Sequence, residues 1–500
     1  MKIHNKIVLF SCSLILLGLG SCKKSYLDRV PTSEAPLSDI FKTTVSSEAA
    51  LQGLHRLMYD VPSGRQDDQF GQKSIDLYND LMGDDMPLTD RGSGWFMSMY
   101  SYSAPRTTEA PGSYPWVFYF GMINNANQII VNIDNATGPQ EDKDNIKGQA
   151  LFYRAYAYYN LSLYYQFTYL VDETALGLPL YDEPTRVGKG RSTMKETYDF
   201  ILNDLSASRA LLAGSSSRND KSAINIDVVN AISARIALSM GKWTDAANYA
   251  NAARQSYPFM NSRDLLDGFN SINNSEWIWG SKMVDDQTSN VASFLGQMDI
   301  ASGGYAALGQ QKLVSRNLFI TIPSNDIRKN WWYAKSEGRY QGFSQKKFRV
   351  KVAGTFGTDV SYVRSAEMAL IEAEALCMNN DLAGSKAVLS SLITTRQPDY
   401  DVDQFTTQTD LFKEIIRQRR IELWGEGFRY SDIKRFAPAL YLQRGLLSAG
   451  DLGLHREGNG GNKTLMGQVT IADPLSPLFV FRIPSSEINL NPAMQGQQNP

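Results

Sequence analysis

Glu422 and Glu426 stand four residues apart in RRIELWGEGFRYSDIKRF, a spacing that puts two carboxylates on one helix face. Carboxylates about 5 to 9 Å apart across a sugar hydrolyse glycosides, so the pair invites an enzymatic reading. Arg417, Arg419, Arg420 and Arg429 crowd the same segment, and ion pairs along a helix and its C-terminal turn are the simpler account. A second acidic group, Asp80, Asp84, Asp85 and Asp90, lies in NDLMGDDMPLTDRGSGW. An EF-hand loop needs ligands at fixed odd positions and a glutamate at the twelfth. This spacing does not comply, and no metal is expected, with a calcium site of another kind as the alternative. Carboxylates also accept pairs of sugar hydroxyls, and Trp95 nearby offers a flat face for a ring. Asp84, Asp85, Arg91 and Trp95 are therefore assigned to one wall of a ligand site. A second wall is assigned to irregular segments that carry Tyr305, in SGGYAALG, and Trp332, in DIRKNWWYAKSEGRY. Adjacent tryptophans cannot both face the core of a regular strand, so one of Trp331 and Trp332 is expected at the surface. The opposing readings are a solvated turn for the aspartates and packing under loops for the tryptophans.

Nucleophilic and zinc chemistry find little material. Outside the N-terminal segment the chain has Cys377, His55 and His455. Zinc usually takes three or four His, Cys or carboxylate ligands, and two distant histidines do not suggest it. Cys377 sits on an apparent helix face, EAEALCMNN, and reads as a small buried hydrophobe.

The elements that must position these residues read as mostly helical. Leu51, Leu54, Leu57 and Met58 recur at helical spacing after a cap at Ser46 or Ser47. Further helices are expected near 116–134, over KGQALFYRAYAYYNLSLYYQF, over MKETYDFILNDLSASRALL and over LFKEIIRQRRIELW. The tyrosines of the second of these are expected to pack inside. In ARIALSMGKWTDAANYANAARQSYP, Gly241, Trp243, Ala246, Ala250, Ala253 and Pro258 fall at the spacing of a tetratricopeptide repeat. Gly241 would turn the chain, the alanines would let the second helix approach closely, and Pro258 would stop it. A weaker pair spans 365–392. Between the pairs, SEWIWGSKM and KKFRVKV read as strands, with Trp277 and Trp279 on one core face.

Composition bounds the setting. The 500 residues are 43% hydrophobic and 20% charged, with a formal net charge of −2. That is a globular balance, and nucleic acid is not an expected partner. Lys2 and Lys6 precede an apolar run from Ile7 to Leu19, followed by Gly20, Ser21 and Cys22. The run has the length of a signal segment and is short for a membrane span. Small residues before a cysteine resemble a bacterial lipobox, with Cys22 as the lipidated new N-terminus. Residues 1–21 are then a signal peptide, 22–500 a single domain, and 23–38 a polar tether. Acyl chains contribute about 0.8 kcal/mol per buried CH2, enough in combination to hold a protein on a membrane.

Four features together resemble the SusD/RagB family of Bacteroidetes outer-membrane lipoproteins. They are the lipobox with CKKSYLD, the tyrosine-rich helix with GLPLYDEPT, the late segment RRIELWGEGFRYSDIKRF, and the ending FRIPSSEINLNPAMQGQQNP. The late segment matches at Arg420, Glu422, Leu423, Gly425, Glu426, Gly427, Arg429, Asp432 and Arg435. The resemblance implies a mainly α fold, with tetratricopeptide-like helix pairs as scaffold and loops and short strands carried on one side. It implies a non-catalytic protein without cofactors, which captures a glycan at the cell surface and hands it to a SusC-type TonB-dependent transporter. Alternatives are a peptide or other nutrient as ligand, a pure assembly scaffold, and, more distantly, a lipid-anchored glycoside hydrolase. The residues after Cys22 are basic, which leaves a periplasm-facing location as the alternative to the surface.

Overall fold

The computed structural model describes residues 37–60, 66–89, 94–214, 218–283, 291–338, 340–456 and 469–500. Cys22, the signal segment and Arg91 lie outside the described residues. The longer helices are α1 (Thr44–Leu57), α2 (Gln72–Leu81), α3 (Tyr114–Asn132), α4 (Gln140–Tyr165), α5 (Met194–Leu212), α6 (Ile226–Ser239), α7 (Trp243–Arg254), α8 (Ser365–Met378), α9 (Leu382–Ile393), α10 (Gln408–Glu422) and α11 (Arg429–Arg435). Two antiparallel ribbons accompany them: β1 (Trp277–Ser281) on β2 (Val360–Arg364), and β3 (Leu454–Arg456) on β4 (Val469–Ile471). The fold is mainly helical, as expected from the sequence.

Local chemistry sets the helix ends. Thr193 and Glu196 form a reciprocal capping box at the start of α5, which satisfies backbone N–H groups the helix leaves open. The cap of α1 is Thr43 and not Ser46 or Ser47; Ser46 instead bonds back to the Thr43 backbone. Gly241 adopts φ +70° between α6 and α7, a left-handed turn that suits glycine. Ala246, Ala250 and Ala253 are buried, and α7 packs between α6 and α8. Helices α3 and α4, α6 and α7, and α8 and α9 form successive hairpins, with α5 packed on α4.

Helix α4 is the axis of the core. Tyr153, Tyr156, Tyr158, Tyr159, Tyr164 and Tyr165 are all buried, and their hydroxyls have partners: Tyr153 with His55 Nδ1 at 2.5 Å, Tyr159 with Ser239 at 2.9 Å, and Tyr164 with Asn79 at 2.7 Å. A buried phenol needs such a partner. The C-terminal segment locks onto the end of this helix. Asn499 Nδ2 donates to the carbonyls of Tyr165 and Phe481 at 2.9 and 2.8 Å, and Arg191 donates to Asn499 Oδ1 at 2.9 Å.

One strand expectation fails. The partner of β1 is β2, and KKFRVKV is irregular. Its backbone donors go to scattered acceptors: Lys346 N to Trp331 O, Arg349 N to Gly268 O, and Val350 N to Asp299 Oδ2. Lys347 and Phe348 are buried in succession, which a period-two strand with one solvent face does not allow. Trp277 and Trp279 are both in the core as expected. Trp331 and Trp332 are both buried as well, contrary to expectation; Trp331 ends the 3-10 helix Ile327–Trp331 and Trp332 leaves it in a single bridge to Gln345, so strand alternation does not constrain them, and their rings lie at 72°.

The late segment closes a buried ionic network. Arg328, Arg364, Arg396 and Lys347 interlock with Asp326, Glu276, Glu422 and Glu426. Glu422 is 0% exposed and accepts from Arg328 (3.0 Å), Arg364 (2.8 Å) and Arg396 (2.9 Å). Burial pushes its carboxyl up, but the three guanidiniums outweigh burial and hold it well below the usual carboxylate range. Both carboxylates of the suspected catalytic pair are therefore consumed by structure. The arginines nearest in sequence go elsewhere: Arg419 to Asp432, Arg420 to Asp85, and Arg429 to Asp84.

Gly425 and Gly427 reverse the chain after α10 at φ +81° and +89°. A Cβ on Gly427 would stand 2.6 Å from Asp76 Cβ, and its N–H donates to Asp80 Oδ2 at 2.9 Å. Gly427→Ala is expected to lower stability by about 2–4 kcal/mol, from left-handed strain plus overpacking. Urea unfolding measures it, and a change under 1 kcal/mol would show that α2 gives way freely.

Candidate ligand-binding site

The site is built on a ladder between two loops. Ser315 N donates to Asp85 O at 2.9 Å, Leu313 N to Pro87 O at 2.9 Å, and Thr89 N to Gln311 O at 3.2 Å. Beyond the ladder, the 293–310 loop folds on itself. Ser293 caps the short helix Phe294–Met298, and Gly304 lies so close to Gly296 that a Cβ there would meet its Cα at 2.5 Å. Gly303 takes φ +88°. This tight turn delivers Tyr305 to Trp95.

The two rings meet edge to face, with centroids 6.3 Å apart and planes at 68°. Both are half-buried. The Tyr305 hydroxyl donates to Asp67 Oδ2, and burial together with that carboxylate pushes the phenol up. Two glutamines fix the surroundings. Gln310 Nε2 donates to the Trp95 carbonyl, and Gln297 Nε2 to the Asp67 carbonyl at 3.2 Å. Lys312 ties the glutamines together from below: its Nζ donates to Gln297 Oε1 at 3.0 Å and reaches Gln310 O at 3.4 Å. The ammonium also lies 5.3 Å over the Phe96 ring.

Burial lowers the Lys312 pKa to about 7. An unfolded lysine holds its proton up to about pH 10.4, so between pH 7 and that value the unfolded chain binds more protons. Stability from this group therefore rises with pH, by about 1.4 kcal/mol per unit, and is lost as pH falls toward 7. Lys312→Met is expected to flatten that rise between pH 7 and 9 relative to wild type in urea unfolding. Parallel curves would show that the amine is solvated in the folded state.

The residues assigned from sequence divide. Trp95 and Tyr305, placed on opposite walls, are brought into contact. Asp84 and Asp85 lie at the other end of the ladder and are not free acceptors. Arg429 grips Asp84 at 2.5 and 3.1 Å, and Arg420 grips Asp85 at 2.9 and 2.6 Å. Burial raises the Asp84 carboxyl, but the two arginines outweigh it and leave it well below the usual range. Trp332 is 2% exposed and enclosed by Trp331, Trp424 and Phe319, so its ring offers no face to a ligand. Asp67 and the supporting Gln297, Gln310 and Lys312 were missed. Their only sequence signal is a polar stretch, because the pairing partners lie 215 to 238 positions apart. Among the described residues, no group of three His, Cys, Asp or Glu could hold a metal ion, and no helix is long and apolar enough to cross a membrane.

The helical-hairpin scaffold thus carries a loop-borne aromatic pair, and the Glu422, Glu426, Asp84 and Asp85 carboxylates are locked in ion pairs. Residues 25–238 match a family model described as starch-binding and associating with the outer membrane, and residues 270–500 match the SusD family model. The chain belongs to the SusD family, whose members are non-catalytic binding proteins. Among solved structures, it is similar to a SusD-like carbohydrate binding protein from Bacteroides vulgatus at 25% identity and TM-score 0.76, over 91% of this chain and 97% of that one. The fold is shared with a SusD superfamily protein from Bacteroides vulgatus (22% identity, TM-score 0.76, 92% and 99% covered). It is shared also with one from Bacteroides thetaiotaomicron (22%, TM-score 0.73, 92% and 100% covered). A comparison with curated protein sequences gave no match.

Proposed function

We propose that this chain is a lipoprotein, anchored in the outer membrane through Cys22 and facing the cell surface, that captures a glycan and delivers it to a SusC-type TonB-dependent transporter. The observation that carries the glycan reading is the Trp95–Tyr305 pair beside Asp67. Half-exposed aromatic faces suit the apolar faces of sugar rings, and a neighbouring carboxylate suits their hydroxyls. A carbohydrate-binding relative of the same fold supports it. Membership of the family supports the transporter reading, and the N-terminal sequence supports the lipid.

The test is calorimetric titration of residues 23–500 with a panel of polysaccharides and peptides. Binding to one glycan class without product release is expected. Binding of peptides alone would transfer the role to another nutrient, and steady release of reducing ends would restore the hydrolase reading.

A further inference from the structure

Lys312 breaks a rule that the rest of the interior keeps. It is 0% exposed, and among the described residues no carboxylate pairs with it. The other buried lysines are accounted for. Lys73 pairs with Asp76, and Lys347 with Glu426. Lys434 closes the end of α4 by donating to the carbonyls of Leu163 and Gln166, where a cation suits the helix dipole. Lys312 stands on no helix. A methionine of similar length would avoid the cost of burying a charge, and such a broken rule is expected where the residue serves a site.

What the amine touches is the site. Nζ donates to Gln297 Oε1 at 3.0 Å and to Gln310 O at 3.4 Å. From Gln297 the path runs through the Asp67 carbonyl, and Asp67 Oδ2 holds the Tyr305 hydroxyl. From Gln310 it runs through Nε2 to the Trp95 carbonyl. The ammonium also lies over the ring of Phe96, the residue after Trp95. Phe96 has φ +66°, a left-handed conformation that costs a residue with a side chain free energy and needs support from its surroundings. Phe70 and Tyr78 meet the same ring edge to face, with centroids 6.1 and 5.6 Å away. One buried cation therefore reaches both ring-bearing loops.

We propose that Lys312 is a positioning residue for ligand binding: it touches no ligand, and it holds the 94–97 turn and the 297–310 loop so that Trp95 and Tyr305 form one face before a sugar arrives. The gain in affinity rests on the glycan reading above; the clamp itself rests on the geometry alone. Rings already held in place need no ordering on binding, which is how preorganisation raises affinity.

The test uses residues 23–500 labelled with 5-fluorotryptophan. The chain has eight tryptophans, and Trp95→Phe assigns the Trp95 fluorine line. In the ligand-free protein, Lys312→Met is expected to shift and narrow that line. The lines of Trp116 and Trp279, which pack on α4, should hold. With the glycan found by calorimetry, the variant is expected to bind about fivefold more weakly per folded molecule, or worse. Combined with Tyr305→Phe, the total loss should fall about twofold or more short of the product of the two single losses, because both changes release the same ring. A lysine that only supports the fold would leave the losses multiplicative. Gln297→Met keeps the amine and cuts its link to Asp67, and it serves if Lys312→Met does not fold. It is expected to move the Trp95 line and to weaken binding about threefold. An unmoved Trp95 line in the folded variants, wild-type affinity, or multiplicative losses would overturn the proposal. If no glycan binds the wild type, the glycan reading falls, and the ligand-free fluorine spectra still decide the clamp.

Discussion

Glu422→Gln lowers the stability of this protein by about 3–5 kcal/mol, the expected cost of breaking a buried ion pair from one side. The network holds four cations and four anions, and Glu422 alone faces three arginines. A neutral amide leaves one positive charge uncompensated where the side chains of Arg328, Arg396 and Glu422 are 0% exposed. Glutamine also adds two N–H donors toward guanidiniums that accept nothing. Against a typical total stability of about 5–15 kcal/mol, such a loss is large. The pH dependence has a definite sign. The folded carboxyl lies well below its ordinary value of 4.5, so its contribution is fully present above that value and lost as pH falls through the folded pKa. Wild type should therefore lose stability below about pH 4.5 more steeply than the variant. Urea unfolding at pH 7 and pH 4 reads both effects. Asp182→Asn, which removes the exposed Lys189 pair, is the control and should change stability by less than about 1 kcal/mol. If Glu422→Gln behaves like the control, water reaches the network and the low-dielectric account fails.

Trp95→Ala is expected to weaken glycan binding about 10- to 100-fold, because a stacked aromatic anchor contributes roughly 1.5–3 kcal/mol and each 1.4 kcal/mol is tenfold. The ring is only half-buried, and its carbonyl, held by Gln310, is untouched by the change, so the fold should survive. Tyr305→Phe keeps the ring and removes the bond to Asp67, which frees the ring to tilt; a smaller loss, about threefold to tenfold, is expected. The edge-to-face pair should couple by about 0.5–1.5 kcal/mol in a double-mutant cycle with Tyr305→Ala. Calorimetry with the bound glycan, beside melting curves, separates lost recognition from lost structure. Wild-type affinity in Trp95→Ala would move the binding face elsewhere on the molecule.

The helical frame was legible because its causes are local. Met194–Leu212 was readable to the residue, since Thr193 and Glu196 are a capping box three apart and the apolar period follows at once. The Gly241 turn and the alanine face of α7 were readable for the same reason: glycine tolerates φ +70°, and small side chains permit close helix approach. The tyrosines of α4 read correctly as interior. The family's late segment was recognised, and its carboxylates were assigned to ion pairs rather than to chemistry.

The partners in those pairs were not legible. Sequence proximity suggested Arg417, Arg419, Arg420 and Arg429 for Glu422 and Glu426, whereas Glu422 takes Arg396, Arg364 and Arg328, which lie 26, 58 and 94 positions away. Asp84 meets Arg429 across 345 positions, and this pairing turns a presumed sugar acceptor into one half of an ion pair. Trp332 illustrates the same limit for burial, because one bridge residue at the end of a 3-10 helix imposes no alternation from which exposure can be read.

By itself, then, the sequence determined the helical class, the start and end of α5, the Gly241 turn and the resemblance to one family, because these depend on spacing over a few residues. Only the tertiary structure decided which carboxylates are spent, which arginines they meet and which aromatic rings come together. Those outcomes depend on contacts between segments hundreds of residues apart, where a few ångströms in a low-dielectric interior separate a locked ion pair from an available ligand.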